Sequence, residues 1–290
     1  MTSPATRYCH AGPIAIGPDK PLAIIAGPCV LESLEHALAI GKTVKALCDK
    51  LALPYIFKAS FDKANRSSIK SPRGPGLEQG LAWLAAIKKE LGVPATTDIH
   101  DPSQAEPAAR VVDILQIPAF LCRQTDLLMA AGEAAAKHNR AVNVKKGQFM
   151  APAEMKGAVK KLAEAGCSNT MLTDRGTFFG YHRLVNDFAG LGDLMELSSD
   201  GGPPPVCFDV THSTQFPGAE GERTGGQPHR APLLARAATA AGVHCLFIEC
   251  HPEPAKAFSD AATVQPLAAM PDLLASVAAI RAALSRSALP

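Results

Sequence analysis

The sequence predicts an α/β fold, a (β/α)8 TIM barrel, on three observations. Short apolar runs alternate with helical patterns along almost the whole chain, which argues for a parallel sheet with helical crossovers. The apolar runs are continuous rather than alternating, as strands covered on both faces require. Eight strand–helix units fit within about 250 residues, the usual size of this barrel. An open doubly wound sheet is the alternative, but no GxGxxG turn follows the first apolar run. No domain boundary or short-period repeat stands out, so residues 1–290 read as one barrel domain. The segment up to about residue 20 reads as a short, weakly structured lead-in.

The first strand is expected over Leu22–Cys29 (LAIIAGPC), with a helix over Leu34–Leu51 and Ser33 placed to cap it. The second strand covers Tyr55–Ser60 and its helix Leu77–Leu91; the third covers Ala95–His100, with a helix near Ser103–Arg110. Strand four is Asp113–Ile117, followed by an Ala-rich helix over Asp126–His138. Strand five is Ala141–Lys145 with a helix over Ala153–Ala165; strand six is Asn169–Thr173 with a shorter helical piece over Arg183–Leu194. After a Gly/Pro break at Gly201–Pro205 comes strand seven, Val206–Thr211, then a polar, Gly-rich loop over Ser213–Gln227 and a helix over Ala231–Ala241. Strand eight is Cys245–Glu249, and the last helix covers about Asp272–Leu284.

With 47% hydrophobic residues the chain can bury a sizeable core, and its formal net charge of +2 does not indicate a nucleic-acid partner. There is no run of about 18 apolar residues to suggest a membrane span. The N-terminus lacks the charged-then-apolar order of a signal peptide, so a cytoplasmic location is expected. Eight cysteines include no CxxC pair, and most lie in apolar runs. That suits reduced, buried thiols better than a disulfide framework.

Active sites of such barrels lie at the C-terminal ends of the strands, and polar residues collect there. Cys29 and Glu32 follow strand one; Lys58 and Ser60 end strand two; Asp98 and His100 end strand three. Gln116 and Arg123 follow on strand four, Lys145, Lys146 and Gln148 on strand five, and Asp174 and Arg175 on strand six. Asp209 and His212 close strand seven, and Glu249 and His251 strand eight. Each alone has an ordinary explanation as a cap or surface pair, but their recurrence at equivalent places does not. Lys58, Lys63, Arg66, Arg123, Lys145, Lys146 and Arg175 would converge on one rim, and like charges at that density repel unless anions occupy the site. Two phosphorylated substrates, or a phosphate and a carboxylate, fit that demand. A softer set, Cys29, His212, Glu249 and Asp260, suits a divalent transition metal such as Zn, Fe(II), Mn or Co. Its spacing has no local metal signature, and a small packing thiol is the default reading of Cys29 taken alone.

The stretches FKASFDKANRSS (57–68), RGPGL (73–77), TDIHDPSQA (97–105), LQIPAFLCRQTDLL (115–128), NVKKGQF (143–149), TDRGTFFGY (173–181), FDVTHS (208–213) and FIECHPEP (247–254) carry a resemblance. From about Leu22 to Leu284 the chain resembles the 3-deoxy-D-manno-octulosonate 8-phosphate synthases, or 2-dehydro-3-deoxyphosphooctonate aldolases. The resemblance implies condensation of phosphoenolpyruvate with D-arabinose 5-phosphate and water, feeding the lipopolysaccharide inner core, by a homotetramer. The sister 3-deoxy-D-arabino-heptulosonate 7-phosphate synthases use erythrose 4-phosphate and carry KPRTS-like residues where KANRSS stands here. A sialic acid synthase-like enzyme would carry a further C-terminal domain, and a non-catalytic sugar-phosphate binder would have no use for the metal set.

By the same resemblance, Lys58, Ser60 and Lys63 are expected at the phosphoenolpyruvate carboxylate. Arg123, Lys146 and Arg175 are expected at its phosphate, with the Ala119 N–H and Gln148 nearby. Asn65, Arg66 and Ser67 would hold arabinose 5-phosphate, and Asp98 would bond sugar hydroxyls or the attacking water. Lys146, His212, Asp98 and Asn65 are thus the expected catalytic residues. Cys29 stands where the metal-independent branch has Asn, so the resemblance implies the metal-dependent branch, with His212, Glu249 and Asp260 as the other ligands. Cys250 is expected to face away from Glu249 and pack. Residues 217–228 are expected to form a mobile lid.

Overall fold

The computed structural model describes residues 7–65, 71–220 and 223–287. Among these, eight parallel strands form a closed ring: β1 (Ala23–Gly27), β2 (Tyr55–Lys58), β3 (Ala95–Asp98), β4 (Ile114–Ile117), β5 (Ala141–Lys145), β6 (Thr170–Asp174), β7 (Val206–Asp209) and β8 (Cys245–His251). Each strand pairs with the next, and β8 pairs back onto β1. Outside lie α1 (Leu34–Lys50), α2 (Leu77–Leu91), α3 (Ala105–Ala109), α4 (Thr125–His138), α5 (Lys156–Glu164), α6 (Phe188–Met195), α7 (Ala231–Ala240) and α8 (Met270–Ser287). Ser33 caps α1, its Oγ accepting the His36 N–H at 3.1 Å. The expected (β/α)8 barrel is the observed fold.

The period of two decides which residues matter. Along β5, Val142 and Val144 pack outward in the layer between strands and helices, while Ala141 joins the inner core. Inside, the barrel is apolar at its base, where Ala23, Ile25, Ile56, Ile114, Met171 and Phe247 meet. Toward the C-terminal strand ends, residues of inward parity become Lys58, Asp98, Gln116, Asn143, Lys145, Asp209 and Glu249. Cys250 has outward parity and packs fully buried in the outer layer, as expected.

The structure corrects four expectations. The described part of the lead-in is ordered: Cys9–Ala11 and Ile14–Ile16 form a hairpin whose Cys9, Ala11 and Ile16 are buried against the inner core. It closes the base of the barrel, so its apolar positions have a place to go. Arg183–Val185 is not helical but pairs with Thr177–Gly180 as a second hairpin; α6 starts only after Asp187, whose side chain caps it. The predicted loop after β7 is largely a third hairpin, Gln215–Glu220 with Arg223–Gly226. Finally, residues 267–284 do reach the length and hydropathy of a membrane span, with mean hydropathy 1.6. Here they form most of α8, which buries Met270, Leu273, Leu274 and Val277 in the outer core.

At the barrel base His244 Nδ1 accepts the Val206 N–H at 2.8 Å. Burial, reinforced by Arg281, lowers this imidazole from its ordinary 6.5 to about 4. Because the folded value is the lower one, the neutral ring contributes stability above about pH 6.5 that is lost as pH falls through about 4. About 3 kcal/mol is at stake. His244→Asn keeps an acceptor for Val206, so its stability should fall less than wild type between about pH 7 and about pH 4.5. Paired thermal melts at the two pH values check this.

Candidate active site

At the C-terminal ends of the strands lies an open cavity of about 830 Å³, lined among others by Lys63, Asn65, Asp98, Lys145, Arg175 and His212. Gly27 makes the first approach possible, since a Cβ there would sit 2.0 Å from the Lys58 backbone oxygen. Two residues on, the Cys29 carbonyl accepts a hydrogen bond from Lys58 Nζ at 2.8 Å. The same ammonium, almost wholly buried, pairs with the Glu249 carboxylate from β8.

Glu249 is the hub of this wall. Its Oε1 lies 3.9 Å from Lys63 Nζ and its Oε2 3.6 Å from His212 Nε2. Burial would raise its pKa, but Lys58, His212 and Lys63 outweigh it and hold the carboxyl well below the ordinary range. Oε2 is buried without a hydrogen-bond partner. Cys29 Sγ donates to Asp260 Oδ2 at 3.0 Å, and ligand atoms of Cys29, Glu249 and Asp260 all lie within 4.8 Å of one another. Burial first, then Glu249, pushes the Cys29 thiol well above its usual value, so without a cation the sulfur keeps its proton. His212 is oriented by β7: its Nδ1 lies 2.8 Å from Asp209 Oδ2, and its N–H donates to Asp209 Oδ1 at 2.9 Å. Asp260 has a left-handed backbone, φ 53°, which aspartate tolerates better than most residues; Gln215 Nε2 donates to its Oδ1 at 3.1 Å. A thiol, an imidazole and two carboxylates thus share one wall, with an unpartnered carboxylate oxygen among them. That donor set fits Zn, Fe(II), Mn or Co.

A second trio, Glu32, His36 and His251, also brings its ligand atoms within 4.8 Å. There His251 Nδ1 accepts the Glu253 N–H at 2.9 Å. In the neutral ring the proton therefore sits on Nε2, the atom a metal would need.

The cations separate by strand parity. Lys145 faces the cavity, with Nζ 2.7 Å from Asp209 Oδ2 and 3.6 Å from the centre of the Phe247 ring. Lys146 is one residue on and turns away; buried, it pairs with Asp174 at 3.3 Å and bonds Thr177 Oγ1 at 3.2 Å. Arg175 reaches the cavity; Nη2 donates to Gln215 Oε1, while Nη1 is buried without a hydrogen-bond partner. Lys63, Asn65, Ala119 and Gln148 line the cavity. Arg123 is exposed and does not line it. Ser60, fully buried, donates to Asp98. Arg66 and Ser67 lie outside the described residues. The charge count from sequence is thereby reduced: Lys58, Lys145 and Lys146 each have a carboxylate of their own. Among the described residues, Lys63 and Arg175 are the cavity cations less completely neutralised by one.

Sequence reading passed over Gln215 and Asn143. Gln215 ties Arg175 to Asp260 and gave no signal, because nothing placed it in a hairpin. Asn143 did give one: a polar residue at inward parity inside the apolar run AVNVK.

The family model described as the DAHP synthetase I family matches residues 4–280. The 2-dehydro-3-deoxyphosphooctonate aldolase of Granulibacter bethesdensis is 49% identical over 268 residues, 92% of each chain. That of Protochlamydia amoebophila is 50% identical over 260 residues, 90% of this chain and 91% of the relative. That of Desulfotalea psychrophila is 47% identical over 283 residues, 98% of each. With the barrel, the cavity and this extent of identity in hand, the chain belongs to the DAHP synthetase I family and, within it, groups with the 2-dehydro-3-deoxyphosphooctonate aldolases.

Proposed function

We propose that this protein condenses phosphoenolpyruvate with D-arabinose 5-phosphate and water, giving 3-deoxy-D-manno-octulosonate 8-phosphate and inorganic phosphate. The observation that carries the reading is one cavity in which Lys63, Lys145 and Arg175 stand beside His212, Glu249 and Asp260. Its identity to enzymes named for the same product supports the arabinose 5-phosphate acceptor over erythrose 4-phosphate.

In this reading the phosphoenolpyruvate anion sits between Lys63, Lys145 and Arg175, with Gln148 and the Ala119 N–H at its phosphate. Arg175 has a free donor in Nη1, suited to a phosphate oxygen. Lys58 and Ser60 act from beneath, holding Glu249 and Asp98; Lys146, paired with Asp174, braces the turn that presents Gln148. Arg66 and Ser67 take the phosphate of arabinose 5-phosphate, and Asn65 bonds a sugar hydroxyl. The enol carbon C3 attacks the aldehyde carbon, forming the C–C bond while the aldehyde oxygen takes a proton. Water adds at C2, and the tetrahedral intermediate expels phosphate by C–O cleavage. The cations stabilise charge developing on the intermediate, and Asp98 accepts from a sugar hydroxyl or from the attacking water. Cys29, His212, Glu249 and Asp260 would hold a divalent metal, which supplies Lewis acidity to the aldehyde or water. Asp209 keeps the His212 ring aimed so that Nε2 faces Glu249.

Self-association as a homotetramer in the cytoplasm belongs to the same proposal. Supporting it are exposed aromatic side chains on the hairpin after β6, Phe179 (97%) and Tyr181 (94%) above all, since apolar exposure of this kind marks contact surfaces. Each cysteine is free and buried, which suits a reducing compartment.

The test is phosphate release from phosphoenolpyruvate with each acceptor, before and after chelation. Release with arabinose 5-phosphate, lost on chelation and restored by Mn, Co or Zn, is the expected result. Preference for erythrose 4-phosphate would assign the chain to the other reaction, and full activity after metal removal would sink the metal.

A further inference from the structure

A buried polar chain crosses four neighbouring strands just beneath the cavity. Thr173 Oγ1 on β6 donates to Asn143 Oδ1 on β5 at 2.7 Å. Asn143 Nδ2 donates to Gln116 Oε1 on β4 at 3.0 Å. Gln116 Nε2 donates to Asp98 Oδ1 on β3, and Ser60 Oγ donates to the other oxygen, Oδ2. Thr173, Asn143, Gln116 and Ser60 are fully buried; Asp98 alone reaches the cavity.

The chain has one polarity. An ionised carboxylate only accepts, so Gln116 must present its NH2 group to Asp98. Its carbonyl then faces Asn143, which must present its own NH2, and whose carbonyl must find the Thr173 hydroxyl. Every donor points toward Asp98. Registers Asp98 with Gln116 and Gln116 with Asn143 hold the first links opposite one another. The groups facing Asp98 agree with its ionised form: burial opposes the charge, but Lys58, Lys63, Lys145 and His100 outweigh it. At these levels the interior also carries the buried ions Lys58, Lys145, Asp209 and Glu249, but the two amides hydrogen-bond along the chain to Asp98.

We infer that Gln116, Asn143 and Thr173 are positioning residues. They fix the Asp98 carboxylate in one orientation toward the acceptor sugar, and the hydroxyl of Thr173 is the lock at the far end. Without that hydroxyl Asn143 is free to turn over. Its carbonyl would then face the Gln116 carbonyl, Gln116 would follow, and Asp98 would lose a donor. The inference rests on the role proposed above for Asp98.

The experiment compares Thr173→Val, Thr173→Ser, Asp98→Asn and the double variant Asp98→Asn/Thr173→Val. Thr173→Val should lower kcat/KM for arabinose 5-phosphate about tenfold, with KM for phosphoenolpyruvate unchanged. Thr173→Ser should restore the rate to within about twofold. In the Asp98→Asn background Thr173→Val should cost less than about twofold more, because its effect runs through Asp98. A rate for Thr173→Val equal to wild type would overturn the inference. So would losses that multiply in the double variant, or KM rising for both substrates alike, since those are marks of packing alone. If Asp98→Asn itself keeps full activity, the role of Asp98 fails and the inference with it, a result distinct from the others. Should Thr173→Val not fold, Thr173→Ala gives the same readout without an apolar methyl in the hydroxyl's place.

Discussion

Cys29→Ala is expected to lower turnover about a thousandfold, the scale of losing several kcal/mol of Lewis-acid stabilisation, while the metal-free protein folds as before. The thiol is buried and, among the described residues, its one side-chain hydrogen-bond partner is Asp260, 3.0 Å away. Asp260 keeps Ser259 Oγ, 2.9 Å from the same oxygen, and Gln215 on the other. Removing the sulfur therefore strands no carboxylate, and the cost to the metal-free fold should be about 1 kcal/mol or less. A packing thiol predicts the same small stability change but full activity. Metal content separates the cases independently of turnover: wild type should retain one divalent ion per chain through desalting, and Cys29→Ala should not. Normal turnover with a full complement of metal would show that Cys29 is no ligand. The high pKa direction of the thiol does not oppose ligation. Its proton is held by burial and by neighbouring Glu249, and a divalent cation reverses both effects.

Much of this site was legible in the sequence because strand parity and strand ends are local properties. The alternation that puts Lys58 and Ser60 on one side also puts Asp98 inward, and a strand's end marks the cavity. The same rule, applied one residue further, separates Lys145 from Lys146; the resemblance favoured Lys146, and the fold turns it onto Asp174. What sequence could not supply is partnership across the ring. Glu249 meets Lys58 across nearly two hundred residues of chain, and that pairing, with Lys145–Asp209 and Lys146–Asp174, cuts the net charge well below what a count of lysines suggests. Gln215 and the hairpins at 177–185 and 215–226 were missed for a related reason. Their glycines and polar residues look like loop chemistry, and only their mutual pairing makes them strands. The N-terminal hairpin is the reverse case, since its apolar residues are few and gain a partner only once the barrel base exists.

Lys58→Met is expected to cost about 3 kcal/mol of stability and to abolish measurable turnover. Methionine fills much of the lysine stem's volume, so the loss is chiefly that of the ammonium, including its place 5.3 Å from the centre of the Phe247 ring. One acceptor then goes unserved, the fully buried Glu249 carboxylate; the Cys29 carbonyl loses Lys58 but keeps the Ser60 N–H at 3.3 Å. Lys63 at 3.9 Å and His212 at 3.6 Å remain, but neither is in hydrogen-bond contact, and a buried carboxylate without a direct donor is among the costlier defects a fold can carry. Urea unfolding of the metal-free protein measures this. Lys58→Met/Glu249→Gln removes both charges and should recover at least half of the lost stability, since burying a neutral amide costs less than burying an unpaired ion. The double variant should nonetheless remain inactive and bind metal weakly, because Glu249 is the carboxylate at the centre of the metal wall. A single variant as stable as wild type would mean that the pair contributes nothing to the fold. Recovered stability without recovered activity would show a buried ion pair maintained for the chemistry it positions, at the expense of the more stable neutral core that this barrel is able to build.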